Sequence, residues 1–238
     1  MGENIRRGLS TTLKDQSKVF LKVFISRTQP LWSKVNDLAL SIETQPNGSL
    51  CQEGGSRETR PNFRAPFSTK ARYDDGTAYG SADYWHLYRI ARILKIGPGD
   101  VFYDLGSGKG RMICVIARLR LKKCVGVELF EPLCDIARRN AARLRGKKTP
   151  VEILREDASQ ADLSDGTIYY MANPFGPETL RDVLNNIERS LEKNPRTVTI
   201  VYHNALHEAV FEGRPGWSRY RSFYNLNGAR ISFWRRAV

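Results

Sequence analysis

Residues Asp104-Leu105-Gly106-Ser107-Gly108-Lys109-Gly110 place three glycines at alternate positions directly behind an acid, and they follow the apolar run Val101-Phe102-Tyr103. A backbone that bare at the end of a strand lets a ligand approach closely. In open α/β sheets, ligands bind at the carboxyl ends of the strands. Two phosphate-binding patterns are excluded. A dinucleotide fingerprint counted from Gly106 needs glycine at 111, where Arg111 stands, and no G-x-x-x-x-G-K-[ST] run exists. The Asp104 carboxylate repels phosphate and suits a ligand carrying an ammonium and a sulfonium.

Two further acids keep the same register. Glu128, 24 residues after Asp104, ends the next apolar run and can accept both hydroxyls of a ribose. Asp157 ends a third run, within reach of an adenine amino group. Three carboxylates at successive strand ends and one glycine loop describe an adenosyl ligand with a charged amino-acid tail. On the acceptor side stand Asn173-Pro174-Phe175-Gly176. The Asn173 side-chain carbonyl and the Pro174 backbone carbonyl can take hydrogens from an amine, and Phe175 supplies an apolar or stacking wall. Tyr202, His203 and Asn204 border such a site from the end of a fifth run. A lysine acceptor, with a pKa of about 10.4, must lose a proton at a cost of roughly 4.6 kcal/mol at pH 7, whereas a nucleobase amine is already neutral. His203 and His207 have the spacing of a helical zinc pair but lack the intervening Glu and an evident third ligand, so no metal is expected. His86 reads as a packing residue.

The elements that must position these groups alternate from about residue 80. The patterns are a helix over Ala82 to Leu94, the strand VFYDL, a helix over Gly110 to Leu119, the strand CVGVEL and a helix over Pro132 to Leu144. Next come the strands VEILRED and TIYYMAN, a helix over Glu178 to Leu191, the strand TVTIVYH and a short helix over Ala205 to Phe211. Such alternation implies right-handed crossovers and a doubly wound, mostly parallel α/β sheet. Two alternating aromatic runs around Asn227-Gly228 predict a C-terminal antiparallel hairpin at the sheet edge.

Upstream, residues 1–42 carry seven bases (Arg6, Arg7, Lys14, Lys18, Lys22, Arg27, Lys34) against three acids (Glu3, Asp15, Asp37). Leu13, Val19, Phe20, Val23 and Phe24 fit one amphipathic helix; Leu31, Trp32, Val35, Leu38 and Ile42 fit a second that begins beside Pro30. This helical extension could pack on the main domain, cover the site, grip a partner or make peripheral contact with a membrane surface. Residues 43–70, rich in Gly, Pro, Ser and charge, read as a linker or mobile loop, leaving 71–238 as the main domain. The net charge is +13, from 38 Lys plus Arg and 25 Asp plus Glu, which favours polyanionic partners or simply solubility. Twelve bases fall between Lys109 and Lys148, among them Arg138, Arg139, Arg143 and Lys147 on a crossover helix, and they read as a nucleic-acid groove or a solvated face. Cys51, Cys114, Cys124 and Cys134 form no C-x-x-C pair; buried free thiols, a reducing compartment and a cytoplasmic location are expected. No apolar run approaches a membrane span.

On VFYDLGSGKGR, CVGVEL and REDAS, the sequence over roughly residues 79–238 resembles the class I, Rossmann-like S-adenosylmethionine (SAM) dependent methyltransferases. The resemblance implies SAM as cofactor. Asp104, Gly106, Ser107, Gly108 and Gly110 would surround its methionine part, Glu128 its ribose, and Asp157 with the Ala158 backbone its adenine. Tyr79 and Ser81 resemble the segment that folds over the cofactor. Asn-Pro-Phe-Gly is similar to the (N/D)-P-P-(Y/F) of amino-methyltransferases but lacks the second proline. DLGSGKGR, GVEL and Phe175 to Glu178 also resemble the seven-strand, non-SET lysine methyltransferases. The implied reaction is in-line transfer of the sulfonium methyl to an amine nitrogen, on protein lysine first, then on nucleic acid or a small molecule. A non-catalytic nucleic-acid-binding protein on the same scaffold is the rival from another class.

Overall fold

The computed structural model describes residues 28–45, 82–225 and 228–237. In chain order these form helix α1 (28–40), α2 (Tyr84–Leu94), strand β1 (Val101–Leu105), α3 (Arg111–Ile116), β2 (Lys123–Glu128), α4 (Glu131–Arg143) and β3 (Val151–Arg155). There follow β4 (Ile168–Met171), α5 (Pro177–Lys193), β5 (Val198–His203), a 3-10 turn (Glu208–Phe211), β6 (Trp217–Tyr224) and β7 (Arg230–Arg236). The sheet has seven strands in the order β3-β2-β1-β4-β5-β7-β6. Neighbours from β3 to β5 are parallel, and β7 runs antiparallel to both β5 and β6. This is the doubly wound, mostly parallel sheet with a C-terminal hairpin that the alternation predicts. The hairpin closes through Asn225, whose N–H donates to Ala229 O, while Gly228 adopts φ +81°.

β1, β4 and β5 are buried along their whole lengths, which is why they read as predominantly apolar rather than as alternating. Successive side chains of a strand leave opposite faces. Val101, Tyr103 and Leu105 belong to one core cluster with Leu180, Val183, Leu184 and Ile187 of α5, whose buried residues recur at helical spacing. Phe102 belongs to the other, with Leu87 and Ile90 of α2 and Ile113 and Cys114 of α3. Asp104 has the parity of Phe102, so it is directed toward the α2 and α3 side. The chain builds outward from β1 to β3, then returns to β4 on the other side of β1. The crevice between β1 and β4 is therefore the topological switch point, where this sheet type binds ligands.

Cys114, Cys124 and Cys134 are buried free thiols, pushed up to about 12 by burial. Cys51, the expected helix over residues 13–24 and most of the 43–70 segment lie outside the described residues. α1 packs on the main domain through the side opposite its apolar stripe. Leu31, Trp32, Val35 and Leu38 are exposed, and the face that packs inward carries Ser33, Asp37 and Leu40, followed by Ile42 and Thr44. The physical reason is Asp37. Its Oδ1 accepts from Thr44 Oγ1 at 2.7 Å and from the Tyr84 hydroxyl, and its Oδ2 accepts from Thr44 N at 2.9 Å and Gln45 Nε2 at 3.1 Å. Arg111 approaches the same carboxylate at 3.9 Å. A carboxylate so fully hydrogen-bonded and paired is tolerated inside, and it decides which side of the helix is buried.

Candidate cofactor and acceptor site

The glycine loop leaves β1 in a conformation that side chains resist. Gly106, Gly108 and Gly110 have φ of +76°, +54° and +75°. The N–H groups of Gly106 and Ser107 both donate to Val127 O, at 2.9 and 3.0 Å, and Gly110 N donates to Ser107 O at 2.8 Å. A Cβ on Gly106 would collide with the Pro174 ring, so the loop after β1 and the Asn-Pro-Phe-Gly segment after β4 touch backbone to ring across the switch point. A Cβ on Gly126 would lie 2.8 Å from Ser107 Oγ. Sequence reading passed over Gly126. A glycine inside an otherwise apolar strand is its one visible signal.

The three acids stand at one edge of the sheet. Asp104 pairs in register with Gly126, and Glu128 with Arg155, two residues before Asp157. Asp104 is almost wholly buried. Desolvation, with the Glu128 charge as the second cause, holds its pKa well above the usual carboxylate range. Glu128 is pushed in the same direction by burial, against the pull of backbone N–H groups. Its Oε2 accepts from Gly108 N at 2.8 Å and its Oε1 from Phe130 N at 2.9 Å, so this side chain ties the glycine loop to the end of β2. Asp157 Oδ1 accepts from Ser159 N and Oγ at 2.9 and 2.8 Å, shaping a tight turn that includes the buried Ala158.

Across the crevice, Asn173 adopts φ +51° and is buried. Its Oδ1 accepts from the Tyr202 hydroxyl at 3.0 Å, and that hydroxyl also accepts from His207 N at 3.4 Å. The contact follows from register, because Met171 and Tyr202 are partners in the β4–β5 ladder. Burial pushes the Tyr202 phenol up to about 12. Phe175 packs into the core cluster beneath α5, and Gly176 leads into that helix. His203, held down to about 4 chiefly by desolvation, meets the Tyr170 hydroxyl through Nδ1 at 2.9 Å. It ends a strand while His207 precedes a 3-10 turn, so the two lack the shared helix that a zinc pair of this spacing requires. His86 is buried beside Asp83 and His203. Tyr79 and Ser81 lie outside the described residues.

Two bases of the expected cluster are not on the surface. Lys109 is fully buried and its Nζ donates to Gln45 O. Arg111 is buried, with Nε on Thr44 Oγ1 at 2.6 Å, Nη1 on Ala82 O at 2.8 Å and its guanidinium over the Tyr84 ring. Asn140 of α4 completes the seam: Oδ1 accepts from Glu43 N at 2.8 Å, and Nδ2 donates to Glu43 O and Lys109 O, both at 2.9 Å. Segment 37–45 is thus the underside of the glycine loop. Arg138, by contrast, stays in the solvated face expected for it, paired with Glu131 and Asp135. A cleft lined by Pro98, Arg120, Leu121 and Lys148 lies at the opposite, amino-terminal end of β1 and β2.

The crevice fits SAM on three observations. Its floor is a glycine backbone in which a Cβ would clash. Ser107 Oγ is buried with no hydrogen-bond partner among the described residues. Burial holds Asp104 and Glu128 above their ordinary pKa, and a cation beside them would favour their charged forms. Comparison with known proteins agrees. Residues 68–150 match the family described as Histone methylation protein DOT1. A histone-lysine N-methyltransferase, H3 lysine-79 specific, of Caenorhabditis elegans is 48% identical over 54 residues, which is 22% of this chain and 6% of that protein. A protein-lysine N-methyltransferase of Saccharolobus islandicus (strain REY15A) is 29% identical over 113 residues, 47% of this chain and 68% of that one. Among solved structures, an RNA methyltransferase from Salinibacter ruber in complex with S-adenosyl-L-homocysteine aligns with a TM-score of 0.52 and 26% identity, covering 66% of this chain and 94% of that one. The chain has the class I, Rossmann-like fold of SAM-dependent methyltransferases and is similar to them in sequence across the glycine loop, which supports SAM as its cofactor.

Proposed function

We propose that this protein transfers the methyl group of SAM to an amine nitrogen of a protein lysine. The observation that carries the reading is the Asn173 amide, set by Tyr202 and abutting the glycine loop through Pro174. Asp104, Gly106, Ser107, Gly108 and Gly110 hold the methionine part, Glu128 the ribose, and Asp157 with Ala158 the adenine. Tyr79 and Ser81, outside the described residues, complete the proposed set of SAM-binding residues. SAM supplies an electrophilic sulfonium methyl. The chain's own residues orient and dry the nucleophile: Asn173 and Pro174 offer carbonyls to its hydrogens, and Phe175 backs the wall. Tyr202 is a donor at neutral pH, because its raised pKa keeps the phenol protonated. His203 is neutral but engaged with Tyr170. Neither is placed as a general base, so the lysine arrives already deprotonated. The proposed main domain runs over 71–238, residues 37–45 pack on it beneath the glycine loop, and the buried thiols favour the cytoplasm.

The DOT1 match and the two lysine methyltransferase relatives support the lysine acceptor. A second reading, an RNA amine, is favoured by the alignment with the Salinibacter ruber enzyme over nearly that whole protein. Labelled methyl from SAM, supplied with a lysine-rich protein mixture and with RNA, separates them. The lysine reading expects label that protease releases and ribonuclease does not. It also expects a single-turnover rate rising about tenfold per pH unit below the lysine pKa. Label confined to RNA, with a flat profile, sinks it. SAM binding with no transfer to either mixture favours a non-catalytic protein.

A further inference from the structure

α1 is docked by one side and bare on the other. The residues opposite its buried Ser33, Asp37 and Leu40 are Leu31, Trp32, Val35 and Leu38, exposed by 65%, 64%, 49% and 77%. At helical pitch Leu31, Val35 and Leu38 fall within about 60° of one another, with Trp32 beside them. α2 extends this surface: Trp85 and Tyr88 are 57% and 38% exposed. The Tyr88 hydroxyl donates to Asn36 Oδ1 at 3.3 Å, which holds the two helices side by side. A free-standing apolar patch of this kind marks an interaction site.

The charges around it select the partner. The exposed charged side chains on α1 and α2 are cations, Lys34, Arg89 and Arg92, with Lys95 at the α2 C-cap, while Asp83 at the α2 N-cap is 16% exposed. The one acid in either helix, Asp37, is buried under α1. Residues 1–27, which lead directly into α1, add six bases against two acids, a net +4 in sequence. Leu31, Val35 and Leu38 offer nothing to a phosphate backbone or a base edge. Aliphatic side chains with tryptophan, rimmed by cations and free of exposed acids, have the composition of an interfacial helix that lies in a headgroup layer. Among the described residues no helix is long and apolar enough to cross a membrane, so the contact is peripheral. We infer that the α1 and α2 face seats the protein on an anionic lipid surface.

The test uses the full chain and vesicles of phosphatidylcholine, alone or mixed equally with phosphatidylglycerol. Co-sedimentation is expected with the anionic vesicles, to fall in high salt, and to be weak with pure phosphatidylcholine. The double variant Leu31→Ser/Leu38→Ser and the single variant Trp32→Ser should each lower partitioning at least about tenfold, the scale of one or two large apolar side chains leaving a buried setting. Calorimetric SAM titration of the same variants should be unchanged, which separates loss of lipid binding from misfolding and leaves the acceptor question independent. Failure to bind anionic vesicles overturns the inference, as does equal binding by the variants. So does a finding that the variants instead abolish self-association or binding to an RNA oligonucleotide.

Discussion

At Gly106 two constraints coincide, a positive φ and a proline ring against the site of the missing Cβ. Gly106→Ala should therefore cost about 1–3 kcal/mol from backbone strain alone. It should also displace the loop enough that calorimetry detects little SAM binding. A variant that melts and binds like the parent would show that the loop does not need this glycine. Asp104 makes the opposite trade. Its raised pKa means that burial penalises the charged form, so its contribution to stability is full below the ordinary value and is lost as pH rises through the raised one. Asp104→Asn removes that penalty. The ligand-free variant should melt higher than the parent, by a margin that widens from acid to neutral pH, while SAM affinity falls at least tenfold. A melting temperature below the parent's at pH 7 would contradict the assigned cause. The carboxylates were legible one by one, since each ends an apolar run. The burial of Asp104 was not, nor was the close approach of Gly126 to Ser107 from a different strand.

Elements were easier to read than the contacts between them. β1, β4 and β5 announced themselves as predominantly apolar runs, and α5 by a periodic stripe that the structure extends slightly at both ends. α1 shows what periodicity leaves open. Leu31, Trp32, Val35 and Leu38 correctly signal a helix, yet a stripe does not reveal what it faces, and here the helix docks through an acid. Asp37 meets Tyr84 and Arg111, 47 and 74 positions away in the chain, and no local pattern marks such a contact. The same distance hid Lys109 and Arg111, which looked like surface charge. Asp37→Ala strips hydrogen bonds from Thr44, Gln45 and Tyr84 and leaves Arg111 buried without its counter-ion. A loss of about 3–5 kcal/mol is expected on the scale of broken buried pairs. Because Arg111 adjoins Gly110, SAM affinity should drop with it. Denaturant unfolding and calorimetry check both. Loss of stability with unaltered SAM affinity would show that the seam supports the fold but not the loop.

For the molecule as a whole, the two core clusters on either side of one sheet explain why the class was readable from the chain. Adjacent strands in the sheet are consecutive in the chain except at β1–β4 and β5–β7. Acid should attack this core through His203. Its pKa is held near 4 by burial, so the stability it contributes is present above its ordinary value of 6.5 and is lost as pH falls through the lowered one. About 2.5 units correspond to roughly 3 kcal/mol. His203→Asn, which keeps an acceptor for the Tyr170 hydroxyl, should shift the acid-unfolding midpoint to lower pH. An unchanged midpoint would place the acid-sensitive group elsewhere.

The contact between Gly106 and the Pro174 ring reaches furthest. Where the glycine loop meets the segment after β4, a backbone faces a pyrrolidine ring with no room for a Cβ between them. Redesign of acceptor choice by swapping the segment after β4 must therefore carry this proline, or a replacement for the loop after β1, in the same step. Changed singly, either half blocks the path to the useful double change, so the two loops behave as one inherited unit.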